Sequence, residues 1–330
     1  MRRPPDFRNT QGPVPTLDHA DRNLVGGWVR MRGAGGASRQ LQIIVQRLTY
    51  QPLMHAGLLA IHELRKSLCG RRIGRQIRYL PTTDSTNDEV WRLLDDQSAS
   101  VDQDGCVVFA EHQTAGRGRL GRSWHAPRGA SLLMSIGLLD DSLGSGPELG
   151  LIAAVCIWEA LTEMTDLRPL IKWPNDILVG DRKLAGVLVE SRLLRDGRQG
   201  HVIGLGVNCL QHSGHFPAEL MGQATSIELE SSRPVDRTGL AVALLAHLDR
   251  WLARPRTWHE GELRAAWLAR ANAPGCHVVL TSRGRSYSGT IIDVDPVAAL
   301  IVRLDNGDVC CFNAADTSLQ GPWARTAICA

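Results

Sequence analysis

Between Arg168 and Val207 the chain reads as four strand-like runs, Arg168–Trp173, Asp176–Val179, Lys183–Ser191 and Gly200–Val207, separated only by turn residues. Two further buried strands are expected upstream, at Cys106–Ala110 and Ser131–Leu139. Helical patterns surround them. Thr86-x-x-Glu89 has the form of a capping box, and Val90, Leu93 and Leu94 then give one apolar face. Pro147–Thr165 reads as a long, mostly buried helix. Thr238–Leu252 places Leu240, Leu244, Leu245, Leu248 and Trp251 at helical spacing, and Glu260–Arg270 follows as a second helix. Strands clustered in mid-chain with helices around them point to the α+β class.

The pattern changes at Ala273-Pro274-Gly275. Cys276–Leu280, Tyr287–Val294, Leu300–Leu304 and Val309–Phe312 are short strands at close spacing. Asn306-Gly307 between the last two predicts a type I′ hairpin, whose central residues both need positive φ. A segment of this size is too small for a large core of its own, so a small β-barrel packed on the main domain is expected.

Composition bounds the rest. A chain of 330 residues allows about two domains of ordinary size. The net charge of +3 gives no reason to expect binding to nucleic acid or anionic membrane. The longest apolar run, around Leu151–Trp158, falls well short of the roughly 20 residues that span a bilayer. Arg2 and Arg3 have no apolar core behind them, so no secretory signal is expected. Cys69, Cys106, Cys156, Cys209, Cys276, Cys310, Cys311 and Cys329 form no Cys-x-x-Cys pair, which suits reduced thiols in a cytoplasmic protein rather than a zinc site. Residues 1–55 stand apart: eight arginines, three aspartates, no lysine or glutamate, and Pro and Gly pairs throughout. They read as an irregular tail without a clear helix-turn-helix, with Leu41–Leu48 as a helical turn or two. Met54, just before the regular pattern begins, is a second candidate start.

Three segments carry chemistry. Gly116-Arg117-Gly118-Arg119-Leu120-Gly121-Arg122 alternates glycines, which let backbone N–H groups approach a ligand, with guanidinium forks that suit phosphate or carboxylate. It is not a Walker loop, since no Gly-Lys-Ser/Thr follows. It matches Gly-x-Gly-x-x-Gly by letter, without the strand-to-helix setting of a dinucleotide fold. Alone it is equally what a basic surface loop looks like. Lys172-Trp173-Pro174-Asn175-Asp176 sets a cation, an aromatic ring, an amide and a carboxylate between two strands. Asp176 could take Mg²⁺ through oxygen, and Asn175 could read a base edge; an ordinary Pro-Asn-Asp turn is the plain alternative. Lys183-Leu184-Ala185-Gly186 puts a compact point charge at the start of the next strand, a partner for carboxylate or phosphate or a solvated lysine.

Taken in order, Ser85-Thr86-Asn87, Glu111-x-Gln113-Thr114-Ala115-Gly116-Arg117-Gly118-Arg119, Gly121-Arg122-x-Trp124, Lys172–Asp176, Lys183–Gly186, Gly204-x-Gly206-x-Asn208 and Ala224-Thr225-Ser226 resemble the motifs of bacterial biotin protein ligases. The resemblance covers about Gly70–Ser318. Each motif alone is weak; seven in the same order are specific.

The resemblance implies a class II synthetase-like catalytic domain over 60–272, with a mixed central sheet flanked by helices, and a small SH3-like β-barrel over 273–322. It implies an enzyme that makes biotinyl-AMP from biotin and ATP with Mg²⁺. The biotin is then passed to a lysine of a biotin carboxyl carrier protein, that of acetyl-CoA carboxylase or of a similar biotin-dependent enzyme.

Ser85, Thr86, Asn87 and Gln113 would hold the ureido ring. Gly116, Arg117, Gly118 and Arg119 would form the loop over biotin and its adenylate, and Trp124 would cover that adenylate. Lys183, beside Gly186, would sit at the biotin carboxylate and α-phosphate, so that Lys183 and Arg119 are the catalytic candidates. Lys172, Asn175, Asp176 and Asn208 would lie near the nucleotide, with Asp176 as the Mg²⁺ ligand. The implied protein is a monomer or homodimer. Two rivals remain at this stage. A lipoate or octanoate ligase shares the adenylating logic but carries an Arg-Arg-x-Ser-Gly-Gly-Gly-like stretch not found here. A bifunctional ligase and biotin-operon repressor would carry an N-terminal helix-turn-helix, from which residues 1–60 depart, arguing against DNA as a partner.

Overall fold

The computed structural model describes residues 29–32, 38–41, 58–96, 102–139, 146–255, 259–295 and 299–320. The chain divides into two units, Met1–Met54 and His55–Ala330. In the first, β1 (Val29–Arg32) and β2 (Ser38–Leu41) pair antiparallel. Leu41 therefore ends a strand; the helical turns expected to follow it, and the rest of the tail reading, lie outside the described residues.

The second unit is built on a seven-stranded sheet. Its strands are β3 (Ile77–Leu80), β4 (Val107–Ala110), β5 (Ser131–Leu138), β6 (Leu170–Lys172), β7 (Asp176–Val179), β8 (Arg182–Leu193) and β9 (Gln199–Asn208), in the order β3-β4-β5-β9-β8-β7-β6. Only β3 and β4 run parallel, so the sheet is mixed. Among the described residues the α-helices are α1 (Ile61–Ser67), α2 (Thr86–Leu94), α3 (Gly146–Met164), α4 (Ile227–Glu230), α5 (Arg237–Leu252) and α6 (Arg264–Ala271). Alternation along the central strands sends Leu132, Met134 and Ile136 of β5, and Ile203, Leu205 and Val207 of β9, into one core with α3 and α5. On the opposite face α2 packs Val90, Trp91 and Leu94 against Val108 and Val202 and covers only one end of the sheet. The uncovered end is where the cavity lies.

The capping box is corrected. Ser85, not Thr86, is the N-cap of α2, and Thr86 is the first helical residue. Its hydroxyl donates to Gln113 instead of capping the helix. The expected second C-terminal helix begins as a π-helical turn at His259–Leu263 before α6.

The C-terminal segment forms a five-stranded antiparallel sheet of β10 (His277–Ser282), β11 (Arg285–Asp295), β12 (Ala299–Leu304), β13 (Val309–Asn313) and β14 (Thr317–Gln320), ordered β13-β12-β11-β10-β14. The Asn306-Gly307 hairpin exists, but its turn is not type I′. Only Gly307 has positive φ, at 94°, and its N–H donates to the Leu304 carbonyl, giving a three-residue loop. The pair with both residues left-handed is Arg283-Gly284, at 49° and 76°, between β10 and β11. Val278, Leu280, Ile291, Leu300 and Val302 of this sheet belong to the same core cluster as Trp267 of α6 and the main sheet. Among the described residues, no helix is long and apolar enough to cross a membrane.

One buried ion pair ties the elements that frame the cavity. Glu111, just after β4, accepts from Arg237 of α5 at 2.8 Å, and both side chains are at most 3% exposed. The same carboxylate accepts from the Leu59 N–H and the Tyr79 hydroxyl, while Arg237 also donates to the Ser131 carbonyl. Arg237→Met strands the Glu111 carboxylate without its cation and is expected to destabilise the fold by about 3–5 kcal/mol in denaturant unfolding. A loss well under 1 kcal/mol contradicts this role.

A second network joins α3 to α5. His247 meets Glu159 at 2.9 Å through Nδ1 and Glu163 at 3.0 Å through Nε2. The Glu159 hydrogen bond above all raises the imidazole pKa above its ordinary value. Because the folded value is raised, the stabilisation is complete below about pH 6.5 and is lost as pH climbs through the raised value. The unfolding-temperature advantage of wild type over His247→Gln should shrink in that direction. An advantage that is flat, or that grows with pH, rejects the assignment.

Candidate functional site

The sheet is hollowed where two glycines share one face of β9. Gly204 and Gly206 are two residues apart and so point the same way. Gly206 pairs with Leu133 of β5 and with Gly186 of β8, and Gly186 pairs with Asp176 of β7, so these four residues form one row across the sheet. A Cβ on Gly206 would lie 2.7 Å from the Trp124 ring, and one on Gly186 would crowd Lys183 Nζ and the same ring at 3.2 Å. In the neighbouring row Gly204 pairs with Ser135 and Leu188, and a Cβ there would overlap the Asn87 amide. The missing side chains let Trp124, Lys183 and Asn87 lie flat on the sheet.

Above this floor is a cavity of about 730 Å³. It is lined by Ser85, Thr86, Asn87, Gln113, Arg117, Gly118, Arg119, Trp124, Lys172, Asn175, Asp176, Lys183, Gly186 and Asn208, which are all of the sequence-predicted site residues except Gly116. Gly116 instead borders a second cavity on the other side of its loop.

One end of the main cavity is neutral and polar. Gln113 Oε1 accepts from the Thr86 N–H at 2.7 Å and the Thr86 hydroxyl at 2.9 Å. Both acceptances fall on oxygen, which leaves the Gln113 NH₂ as a donor. Ser135 Oγ lies 2.7 Å from Thr86 Oγ1 and 2.6 Å from Asn87 Oδ1. Asn87 Nδ2 and Trp124 Nε1 are buried with no hydrogen-bond partner. Unpaired buried donors at a cavity wall suit a ligand that brings acceptors.

The other end is cationic. Lys183 Nζ lies 2.6 Å from Asp176 Oδ1 and 5.6 Å from the Trp124 ring centroid. Burial pulls the Lys172 pKa down from its usual value. Burial also lowers the pKa of Arg119, whose guanidinium donates to the Ala314 carbonyl and, at 3.3 Å, to Asn175 Oδ1. Among the described residues no carboxylate lies within ion-pair distance of Arg119. A desolvated guanidinium held only by neutral acceptors is a ready partner for phosphate.

The predicted residues do not all play the same part. Asn175 donates to the Val187 carbonyl at 2.6 Å, so its amide braces the wall. Asn208 donates to the Thr225 carbonyl and accepts from Gln211, so its polar atoms hold the 208–226 segment together. Arg117 is held by Asp88 at 2.5 and 2.7 Å and by Glu190 at 3.1 Å, and the Asp88 bond in particular raises its pKa. The loop around it is pinched shut by Trp124 N–H to Gly116 O and Gly118 N–H to Arg122 O. Leu120 at its tip is exposed and left-handed, φ 54° and ψ 38°, a conformation that costs an L residue about 1–2 kcal/mol.

Sequence reasoning passed over several walls. Phe216, Leu220 and Gln223 lie in or beside short 3₁₀ turns and bends with no periodicity to read, and Ser318 and Leu319 arrive from β14. The glycine spacing at 204 and 206 was the one available signal for the hollow.

Comparison with known proteins agrees with this geometry. Residues 79–208 match the model of the Biotin/lipoate A/B protein ligase family. The biotin–[acetyl-CoA-carboxylase] ligase of Mycobacterium tuberculosis is 34% identical over 243 residues, covering 71% of this chain and 85% of that protein. The bifunctional ligase/repressor BirA of Bacillus spizizenii is 29% identical over 264 residues, 80% of each chain. The solved biotin protein ligase from Aquifex aeolicus in complex with biotin and ATP superposes with a TM-score of 0.61 at 23% identity, covering 74% of this chain and 99% of that one, which establishes the shared fold. With an aromatic and a lysine laid over paired glycines, and a relative of this identity matched over most of its length, the chain belongs to the biotin/lipoate A/B protein ligase family, among its bacterial biotin protein ligases.

Proposed function

We propose that the chain is an ATP-dependent biotin protein ligase whose cavity holds biotin at its neutral end and the nucleotide phosphates at its cationic end. The observation that carries this reading is the shape of the electrostatics. Gln113 and Asn87 offer donors at one end, while Lys183, Lys172 and Arg119, whose acceptors are neutral, gather at the other.

The chemistry follows from that division. A carboxylate is a poor acylating agent. Its oxygen attacks the α-phosphorus of ATP, the bond to the bridging oxygen breaks, and pyrophosphate leaves, giving a mixed anhydride. Negative charge grows on the α-phosphoryl oxygens, where Lys183 and Arg119 act as fixed cations. The amine of an acceptor lysine then attacks the acyl carbon, AMP departs and the amine loses a proton. Trp124 and the 116–124 loop exclude water from the anhydride meanwhile.

Ser85, Thr86, Asn87 and Gln113 orient the ureido ring in this scheme, with Gly116 and Gly118 letting the loop fold tightly beside it and Gly186 giving the room beside Lys183. Asn175 and Asn208 shape the nucleotide wall. The donor set fits Mg²⁺: Asp176 would supply one carboxylate oxygen, with phosphate and water oxygens completing the shell. Bound there, the ion would neutralise phosphate charge. The acceptor is a biotin carboxyl carrier protein, the partner implied by ligases named for acetyl-CoA carboxylase. The domain division at about 272 is kept, with β14 and Ala314 closing the cavity rim from the C-terminal side. The free thiols of Cys69, Cys106, Cys156, Cys209, Cys276, Cys310 and Cys311 suit a cytoplasmic setting.

The direct test is incubation of the full chain with biotin, Mg-ATP and a biotin carrier domain, read by mass spectrometry of the acceptor lysine. No modification of any lysine rejects the reading. Labelling by lipoate in preference to biotin would move it to the sister activity.

Lys183→Ala should lower biotin-dependent pyrophosphate exchange by roughly 10²-fold or more, the scale of one lost transition-state contact. Near-normal exchange removes Lys183 from the chemistry. Arg119→Gly should weaken retention of the adenylate, so that lysines outside the carrier become labelled. Retention and selectivity equal to wild type would take the loop's closing role away from Arg119.

A further inference from the structure

The arginine nearest the α2 helix is not available to a ligand. Arg117 gives both terminal nitrogens to Asp88, at 2.5 and 2.7 Å, in the bidentate geometry that fixes a guanidinium plane. One of the same nitrogens also reaches Glu190 Oε1 at 3.1 Å. Glu190 is itself anchored, because its other oxygen accepts from the Trp91 indole at 2.9 Å. Asp88 stands one residue beyond Asn87 on α2, and Glu190 projects from β8. Backbone pairing between Arg117 and Ser123 makes the two arms of the loop move together. Fixing Arg117 therefore fixes the whole 116–124 hairpin against the element that carries Thr86 and Asn87.

We propose that Asp88 and Glu190 are positioning residues, an ion-pair latch that grips Arg117 and sets how long the loop stays closed over its bound intermediate. This rests on the ligase reading, in which that intermediate is the acyl-adenylate. Neither carboxylate lines the main cavity. Both act on the stem of a loop whose tip, Leu120, is exposed and left-handed. Division of labour between the arginines follows: Arg117 holds the loop and Arg119 meets the phosphate. The latch is partly solvated, with side-chain exposures of 40% for Arg117, 32% for Asp88 and 28% for Glu190, so its strength depends on ionic strength.

The test uses the full chain and the variants Asp88→Asn, Glu190→Gln and Asp88→Glu. Two quantities are read: amide hydrogen exchange of 116–123 in the ligand-free protein, and the lifetime of labelled adenylate preformed from biotin and ATP. Asp88→Asn and Glu190→Gln should raise exchange in the loop and shorten the adenylate lifetime roughly 5- to 10-fold, mostly through faster release. The kcat for carrier labelling at saturating biotin and ATP should change far less. Added salt should shorten the wild-type lifetime towards that of the variants and leave Asp88→Asn nearly unchanged, and Asp88→Glu should restore much of the loss. A simple packing role for Asp88 would give no such salt response. If both neutral variants exchange and retain adenylate as wild type does, the latch is overturned. If wild type forms no adenylate while Asp88→Asn still loosens the loop, the latch stands and the ligase reading falls.

Discussion

Everything at the site depends on the depth of the sheet surface along β9. Side chains at two successive same-face positions would fill the space that Trp124 and Asn87 occupy, as the 2.7 Å approach to the Trp124 ring shows. Antiparallel pairing then carries the hollow sideways, because Gly186 lies opposite Gly206 and gives Lys183 its bed. The same pairing puts Asp176 next in the row, within 2.6 Å of Lys183. A cation thus reaches the centre of the cavity floor with its counter-ion built in, which lowers the cost of keeping it there before a phosphate arrives.

Around that floor the electrostatics are graded. Close to α2 the cavity presents neutral amides, and Arg117 there is already neutralised by Asp88 and Glu190. Further along, burial weakens the hold of Lys172 and Arg119 on their protons, and Arg119 has only carbonyl-type partners. Desolvated cations without full compensation attract anions more strongly than solvated ones do. Such a gradient orients a ligand with a neutral ring at one end and a charged group at the other before any chemistry begins. The C-terminal sheet takes part, since the Ala314 carbonyl holds the Arg119 guanidinium and Ser318 and Leu319 border the cavity.

What the sequence disclosed and what it hid divide along physical lines. The strands of the central sheet were legible because long apolar runs of β5 and β9 have one strong reading, and α3 and α5 because their apolar spacing is helical throughout. β3 and β14 were not: each is four residues at a sheet edge, partly exposed, with little pattern to see. The Asn306-Gly307 turn was placed correctly but typed wrongly, because Asp308 hydrogen-bonds the Asn306 side chain and a three-residue loop results. The site residues were legible as a set through their order along the chain. Their individual parts were not, because a guanidinium written as Arg117 or Arg119 carries no mark of which carboxylates the fold will bring to it.

That last point has a structural consequence. Arg117 and Arg119 are two residues apart and would share a face on an extended strand, but the 3₁₀ turn that begins at Arg119 separates them, and only Arg119 is left without a carboxylate partner among the described residues. The fold answers the other with Asp88 and Glu190, supplied by two elements that are themselves locked together when Trp91 donates to Glu190. Pairing Arg117 with Asp88 and Glu190 turns a surplus charge into a restraint on the loop, while Gly116 lets the two arms close, since a Cβ there would lie 2.7 Å from the Trp124 carbonyl oxygen. The alternation of glycine and arginine thus meets two demands, a backbone free to turn tightly between the two arginines and anchorage of the loop on α2 and β8.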